Sequence, residues 1–412
     1  RSFWGNIGVA LRAYVYLLEL GKENITSVAH HAVLNANYVK AKLRDHYNVK
    51  YPGDTLHEVV FDDSKMPFSA LNVLAYKVMN RLLPENIAWE IGQIRMGRAA
   101  TVLFTALTAL IVYFWGRELY GSAAGLAAMF IFVIEPNLMA HGRLVTTDMY
   151  ATGMMTIALY SFWHFLRQPG WKWGIISSAV LGISQLAKYT SIVLFPIFII
   201  LALGYYLPEL GKMGKLPRVK RRRLLLRVLL IGAGFILVSL LIINRSFTVF
   251  EAFVFKSDLM KTLKGIPLLS KIPVPVPYPY LEGIDLIHYR ERTNTGFGGS
   301  YLFGEIRYAE GFPGYFLIAS LFKIPIALQI LFVSALVLYI FKGQKDSFWK
   351  KEWFLLFPLL TLGVYLNFFF RAQIGLRFAL VTFPFLILFS TSIFENWQLI
   401  EKNIRLAGYF LL

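Results

Sequence analysis

Ala99-Ala-Thr-Val-Leu-Phe-Thr-Ala-Leu-Thr-Ala-Leu-Ile-Val-Tyr-Phe-Trp-Gly116 runs for eighteen residues without a charge, closed by Arg98 before it and Arg117 after it. Crossing the hydrocarbon of a bilayer takes about 20 apolar residues in one helix, because any backbone N–H or C=O left unpaired there costs several kcal/mol. The stretch comes close to that length, and the sequence around it repeats the pattern. Uncharged or nearly uncharged runs recur at 122–140, 149–166, 173–187, 189–208, 228–244, 312–341, 353–370 and 376–394, and another begins near Leu406. The run at 173–187 is short, and Lys188 with Tyr189 reads as a tight turn at a membrane face.

Composition agrees with this pattern. Of 412 residues 57% are hydrophobic and 16% charged, which excludes a disordered or fibrous chain. The net charge of +18 would suit a nucleic-acid partner if the basic residues lay on a polar background. They fall instead in short clusters between apolar runs, as in a polytopic membrane protein, and no nucleic acid is expected. Without cysteine there is no disulfide framework, thiolate nucleophile or Cys-ligated zinc. The chain starts at Arg1 and is read as a fragment, so a signal peptide cannot be looked for.

Orientation follows from the basic loops, since short cytoplasmic loops retain Lys and Arg. The strongest is Lys215-Leu-Pro-Arg218-Val-Lys220-Arg221-Arg222-Arg223, read as a topology anchor near anionic headgroups and supported by Lys342 to Lys351. Alternation then places Arg117 and the Arg167–Lys172 turn inside, and 62–98, 139–148, 245–311 and 371–377 outside. The outer segments hold nearly all the acids and aromatics of chemical interest, Asp62, Asp63, Asp148, Glu305 and Tyr301 among them, so the chemistry is expected to face away from the cytoplasm. In the 245–311 loop, Ile272-Pro-Val-Pro-Val-Pro-Tyr-Pro-Tyr280 reads as extended polyproline conformation.

Residues 1–60 have a different character. They contain no membrane-length run, and Tyr14, Leu17, Leu18 and Val28, Ala32, Val33, Leu34 recur at helical spacing among charges. Arg1-Ser-Phe-Trp-Gly-Asn-Ile-Gly-Val-Ala-Leu-Arg-Ala-Tyr14, Ala32-Val-Leu-Asn-Ala-Asn-Tyr-Val-Lys40 and Leu56-His-Glu-Val-Val60 closely resemble the C-terminal part of glycine decarboxylase, the pyridoxal-phosphate P-protein of the glycine cleavage system. The family's cofactor lysine is expected before the start of this chain, so neither pyridoxal phosphate nor decarboxylase activity is expected in the fragment. A genuine fusion and a join made in assembling the gene, replacing the first membrane helix, are both open. The join is favoured, because a mid-domain cut leaves a hydrophobic core half exposed.

From Phe61 onward the chain resembles the polyprenol-dependent glycosyltransferases of the GT-C fold, specifically the protein mannosyltransferase and lipid A aminoarabinose transferase group. The resemblance is carried by Asp62-Asp63-Ser-Lys-Met-Pro-Phe-Ser-Ala-Leu-Asn72, Ile94-Arg-Met-Gly-Arg-Ala-Ala100, His141-Gly-Arg-Leu-Val-Thr-Thr-Asp148 and Leu186-Ala-Lys-Tyr-Thr190. Tyr301-Leu-Phe-Gly-Glu305, Phe322-Lys-Ile-Pro325 and Ile374-Gly-Leu-Arg377 followed by Phe383-Pro384 complete it. Order and spacing, rather than any one motif, make the likeness. It implies an all-α polytopic membrane protein, a GT-C-type transmembrane helix bundle with an outer loop domain, preceded by a short soluble helical fragment. The segments are 1–60, the decarboxylase-like piece; 61–98, a first outer loop; 99–247, membrane helices; 248–310, a large outer loop; and 311–412, membrane helices cut off at the C-terminus.

Sugar transfer from a lipid phosphate needs a carboxylate to take the acceptor's proton and cations to hold the departing phosphate. Asp148, at the predicted outer end of an apolar helix after His141, Arg143, Thr146 and Thr147, is the leading catalytic candidate. The plainer alternative is that it caps the helix at 149–166, sharing that role with Thr146 or Thr147. The family's first acidic motif follows its first membrane helix; here no membrane helix precedes residue 62, and Asp62 and Asp63 represent that motif at most in part. Adjacent on a helix they would point about 100° apart, so one of them would share a cleft with Asp148. Lys65, Arg143, Lys188, Arg371 and Arg377 are the candidates for donor phosphate, each with the alternative of an interfacial anchor. His141, His288 and Glu305 lack a local metal-ligand spacing, so no cofactor is expected and a divalent metal is left open. Tyr278, Tyr280 and Tyr301 are available to stack on a sugar ring.

The resemblance thus implies an enzyme of the plasma (inner) membrane of a prokaryote, with its active site facing outward. It would move a sugar, with inversion by single displacement, from a polyprenyl-phosphate donor to a protein or lipid acceptor. No G-x-x-x-x-G-K-[ST] loop or G-x-G-x-x-G turn is present, in keeping with a lipid-borne donor. A chimeric glycine dehydrogenase chain and a polytopic transporter are the rivals. A transporter would carry broken helices or charges near the bilayer midplane, often in two repeated halves; here the charges sit at the ends of the runs, and the 99–208 pattern does not repeat in 228–394.

Overall fold

The computed structural model describes residues 67–84, 87, 93–210, 248–249, 255–266, 273–274, 278–293, 299–308, 310–342 and 348–395, with scattered positions between 27 and 62. It divides into two compact units, Arg1–Met66 and Pro67–Leu412. In the first, β1 (Asn48–Val49) pairs antiparallel with β2 (Phe61–Asp62), Asn48 opposite Asp62. Leu34 and Tyr38 of this unit are exposed.

The second unit is a bundle of antiparallel helices. Its elements in order are α1 (Pro67–Leu82), α2 (Gln93–Tyr120), α3 (Ser122–Ile134), α4 (Pro136–His141), α5 (Thr147–Arg167), α6 (Trp171–Ala187) and α7 (Leu194–Leu210). After the loop region come α10 (Tyr315–Lys323), α11 (Ile326–Lys342), α12 (Trp353–Val364) and α13 (Phe383–Ser390). Short connections turn α3 back on α2 and α6 back on α5. Contacts at the two ends of the bundle bear this out. At one end Trp163 donates to the Lys350 carbonyl at 2.7 Å, Glu118 meets His164 at 3.2 Å, and Lys351 meets Glu395 at 2.8 Å. At the other, Asp148 meets Lys188 and the Asn137 amide donates to the Lys323 carbonyl at 3.0 Å.

Small residues allow the helices to approach. A Cβ on Gly116 of α2 would lie 3.1 Å from the Gly125 Cα of α3, and one on Gly125 would lie 2.7 Å from the Tyr113 carbonyl oxygen. This is the close backbone contact that lipid-embedded helices use, where no hydrophobic drive distinguishes a neighbour from a lipid tail. α5 lies at the centre: every residue from Asp148 to Thr156 is buried, so it has no solvent or lipid face over more than two turns. Its hydroxyls fold back, Thr152 to the Asp148 carbonyl at 2.9 Å and Thr156 to the Thr152 carbonyl at 2.7 Å. Trp115, Trp163 and Phe385, with ring centroids 6.2 to 6.4 Å from Trp115, join α2, α5 and α13 in the core.

The all-α polytopic membrane architecture stands, with fewer uninterrupted spans than the sequence runs suggest. Among the described residues three helices are long and apolar enough to cross a bilayer, Arg95–Tyr120, Tyr189–Tyr206 and Gly375–Phe394. The run at 312–341 is not one straight span: α10 and α11 meet at a bend of 115°. Pro325 explains it, since it lacks an N–H and bars helical geometry to Ile324 before it. The carbonyls freed at Leu321 and Ile324 accept from the Gln329 amide at 3.0 and 2.8 Å. The run at 122–140 breaks at Glu135, which ends α3 and caps α4 by accepting from the Leu138 N–H at 2.7 Å, with Pro136 in the first turn. The run at 353–370 widens into a π turn at Tyr365–Phe369, where the Asn367 amide donates to the Gly363 carbonyl and its oxygen accepts from Leu317 N–H. The basic run at 215–223, the run at 228–244 and the one near Leu406 lie outside the described residues.

In the long loop, β3 (Thr248–Val249) pairs with β4 (Pro273–Val274), followed by a helix α9 (Tyr278–Thr293). The polyproline reading therefore ends early: Tyr278 and Tyr280 belong to the first turn of α9, where Pro279 needs no N–H. α8 (Asp258–Lys264) lies between β3 and β4, and β5 (Ser300–Leu302) forms a hairpin with β6 (Glu305–Arg307).

Candidate functional site

The end of the bundle that carries Asp148 gathers side chains from four separate elements. α5 begins at Thr147 with Thr146 as its cap residue, and the Thr146 side chain makes no capping hydrogen bond. Asp148 therefore sits in the first helical turn, where the helix dipole favours an anion, and its side chain is 1% exposed. Its carboxylate is directed at cations. Lys188 Nζ donates to Oδ1 at 2.6 Å, and Arg377 Nε lies 3.3 Å from Oδ2. Oδ2 accepts no aligned hydrogen bond among the described residues, so its lone pairs remain open to a ligand proton.

Lys188 reaches the site because α6 ends there: the residue is extended, φ −163°, between Ala187 and the 3-10 turn Tyr189–Val193. Arg377 comes from the turn after Gly375, whose φ of +69° suits glycine and whose N–H donates to the Tyr315 hydroxyl at 3.1 Å. Both cations lie over the Phe378 ring, 4.4 and 5.3 Å from its centroid. Burial pushes the Lys188 amine below the usual lysine range; Asp148 opposes the shift and Arg377 adds to it. His141, the last residue of α4, is also held below its ordinary range, first by burial and then by Arg377 and Lys188, with Asp148 opposing. Two cations against one carboxylate, beside a neutral imidazole, leave a surplus positive charge.

His141 yields a pH prediction. An unfolded histidine titrates near 6.5 and this one lower, so between the two values the unfolded chain holds more protons and acidification favours unfolding. Melting curves of the full chain in detergent micelles from pH 7.5 to 5.5 are expected to fall less steeply for His141→Gln than for the parent. Equal slopes would show that His141 does not carry this dependence.

Of the other sequence candidates, Arg143 is exposed and makes no ion pair among the described residues, and Arg371 lies half-buried in the turn before Gly375. Asp63 and Lys65 lie outside the described residues, and of Asp62 only the backbone, in β2, is described. Tyr301 is exposed on β5. Among the described residues no three of His, Asp and Glu converge as a metal site would require; Glu305 pairs with Arg307 at 3.1 Å.

Three supporting features were given no role from the sequence. Asn72 of α1 donates to the Gly97 carbonyl and to Thr101, each at 2.8 Å, and accepts from the Tyr150 hydroxyl at 3.0 Å, fixing the first turn of α5 from behind. Gln373 bonds both the N–H and the carbonyl of Phe312, at 2.7 and 2.9 Å, tying α10 to the turn that carries Arg377. Gly283 lets α9 close on the Tyr189 ring beside Lys188, while Asp285 accepts from the N–H groups of Lys256 and Ser257 at 2.6 and 2.9 Å. Burial would raise the Asp285 carboxyl, but these donors outweigh it and hold the group below the usual range. Asn72 was visible as the end of a motif; Gln373 and Asp285 carried no signal beyond their position.

Asp148 and Lys188 thus face each other across α5 and α6, and both fall within the part of the chain that comparison recognises. Residues 91–242 match the family model of dolichyl-phosphate-mannose-protein mannosyltransferases. The resemblance read from the sequence holds over that stretch, which stops short of Arg377. Among solved structures, ArnT from Cupriavidus metallidurans bound to undecaprenyl phosphate aligns at 15% identity and a TM-score of 0.48, covering 83% of this chain and 53% of that one. Its apo state aligns at 15% identity and a TM-score of 0.45, covering 79% and 48%. The chain is also 46% identical over 65 residues to the probable glycine dehydrogenase (decarboxylating) subunit 2 of Staphylococcus saprophyticus. It is 46% identical over 66 residues to the same subunit of Kosmotoga olearia. These matches take in 16% of this chain, which spans only 13% and 14% of the length of those relatives.

Proposed function

We propose that the chain is a membrane glycosyltransferase that takes a sugar from a polyprenyl-phosphate donor and passes it to a protein or lipid acceptor on the non-cytoplasmic face. The observation that carries this reading is the buried Asp148 held between Lys188 and Arg377 within and beside the family-matched stretch. A donor phosphate competes with Asp148 for the two cations. As Arg377 turns to the phosphate, Oδ2 is released to take the acceptor's proton. The bond between the sugar's anomeric carbon and the phosphate oxygen breaks, its electron pair leaving with the polyprenyl phosphate. The acceptor oxygen forms the new bond from the opposite face, and its proton ends on Asp148. Lys188 and Arg377 hold the phosphate charge as it develops.

The position of buried charge favours transfer over transport. Among the described residues the buried carboxylates are Glu135, Asp148, Asp285 and Glu352, and each lies at a helix end or in the long loop. A transporter would place such groups at broken helices near the midplane. The break at Pro325 carries none, and the one at Glu135 lies at the Asp148 end of the bundle, where Asn137 bonds both Glu135 and the Lys323 carbonyl. Decarboxylase activity is not part of the proposal, since only a small share of that enzyme's length is matched.

The test is transfer from labelled polyprenyl-phosphate sugars by the full chain in proteoliposomes. Arg377→Ala is expected to raise KM for the donor about tenfold or more, as loss of a charged hydrogen bond to phosphate does, with a smaller change in kcat. An unchanged KM would remove Arg377 from the donor site. Absence of transfer from every such donor by the parent chain would overturn the reading as a whole.

A further inference from the structure

The β5–β6 hairpin turns through Phe303 and Gly304, both at positive φ, 49° and 89°. Such two-residue turns favour Asn-Gly, because a bulky side chain at positive φ crowds its own backbone. Phe303 is the only non-glycine residue in this state among those described, and its ring is 73% exposed, so packing inside the protein does not compensate the strain. Tyr301 and Ile306, directly opposite each other across the hairpin, are also exposed, as is Tyr308. The charges of the turn cancel, since Arg307 pairs with Glu305 at 3.1 Å.

The hairpin is rooted at the bilayer boundary. Arg307 lies 4.4 Å over the Phe312 ring, and Phe312 is bonded through both backbone groups to Gln373, just before the span Gly375–Phe394. α10 starts three residues later and meets α11 at 115°. With α11 along the membrane normal, α10 lies close to the membrane plane, exposing Leu317 and Phe322 at that level. The exposed apolar residues of the hairpin continue this lipid-facing belt, with tyrosines placed as interfacial tyrosines are.

We propose that the β5–β6 tip is an interfacial anchor, with Phe303 and its neighbours dipping into the headgroup and upper acyl region of the leaflet on the Asp148 side and fixing the long loop against the bilayer. The backbone strain at Phe303 serves to present the ring outward to lipid. The inference rests on the membrane architecture and not on sugar transfer.

Because the chain has no cysteine, single labels are direct. Phe303→Cys, Tyr308→Cys and, on the exposed surface of α8, Lys261→Cys each carry one nitroxide in the full chain reconstituted in phosphatidylcholine nanodiscs. Electron paramagnetic resonance then compares collisions with oxygen, which concentrates in lipid, and with a water-soluble nickel chelate. The expected result is a reversal of the ratio: oxygen dominates at 303 and 308, the chelate at 261. Chelate access at 303 and 308 equal to that at 261 would put the tip in water, free to meet a soluble partner, and overturn the proposal. Shielding from both agents would mean that protein covers the tip, and would overturn it equally. The Tyr308 label leaves Phe303 in place, so a turn disturbed by its own substitution cannot hide the answer.

Discussion

Asp148→Asn is expected to slow sugar transfer by about 10²–10⁴-fold, the usual contribution of a positioned general base, while the protein still accumulates in the membrane. The substitution keeps shape and the helix-compatible first-turn position. It removes the carboxylate held between two cations at this end of α5, which is the proposed acceptor of the proton. Turnover and the detergent melting curve are to be measured on the same preparation. Loss of activity in a chain that still unfolds in one cooperative transition, at a temperature lowered by the unpaired Lys188 charge, assigns the chemistry to Asp148. Near-normal turnover would remove it from catalysis and leave its ion pairs a purely structural role.

The second large effect concerns stability. Lys188→Met is expected to cost about 3–5 kcal/mol, because removing one partner of a buried pair leaves the other charge uncompensated. Asp148 would keep only Arg377, an ion pair without an aligned hydrogen bond. The double variant Asp148→Asn/Lys188→Met is expected to recover part of that loss, since it buries neither charge alone. A double-mutant cycle by denaturant unfolding in mixed micelles measures the coupling. Additive single effects would show that the two groups do not stabilise one another.

Much of this arrangement was legible in the sequence, and its limits have physical causes. Absence of charge locates hydrocarbon-compatible helices well, because the penalty for a charge in lipid acts residue by residue. It does not locate breaks. Glu135-Pro136 and Ile324-Pro325 interrupt runs that read as continuous, and the carbonyls they free are satisfied by side chains such as Gln329 that count as neutral. Asp148, Lys188 and Arg377 were each identifiable as ionisable residues at helix ends. Their convergence was not, because it depends on α5, α6 and the Gly375 turn reaching the same end of the bundle from positions far apart in the chain. Nor could periodicity reveal Gln373, whose task is to hold one backbone segment to another.

The central position of α5 has a consequence for biogenesis. The helix is 21 residues long, enough to span a bilayer, yet it is not among those apolar enough to qualify as a span, since it carries Asp148, several hydroxyls, His164 and Arg167. Alone in the lateral gate of a translocon it would gain little by moving into lipid. Its stable environment is the sheath made by its neighbours. The ribosome delivers α2 and α3 first, and the close Gly116–Gly125 crossing gives them a preassembled wall. Release of α5 should therefore wait for that wall, making the order of synthesis a condition for seating the carboxylate of Asp148 between its two cations.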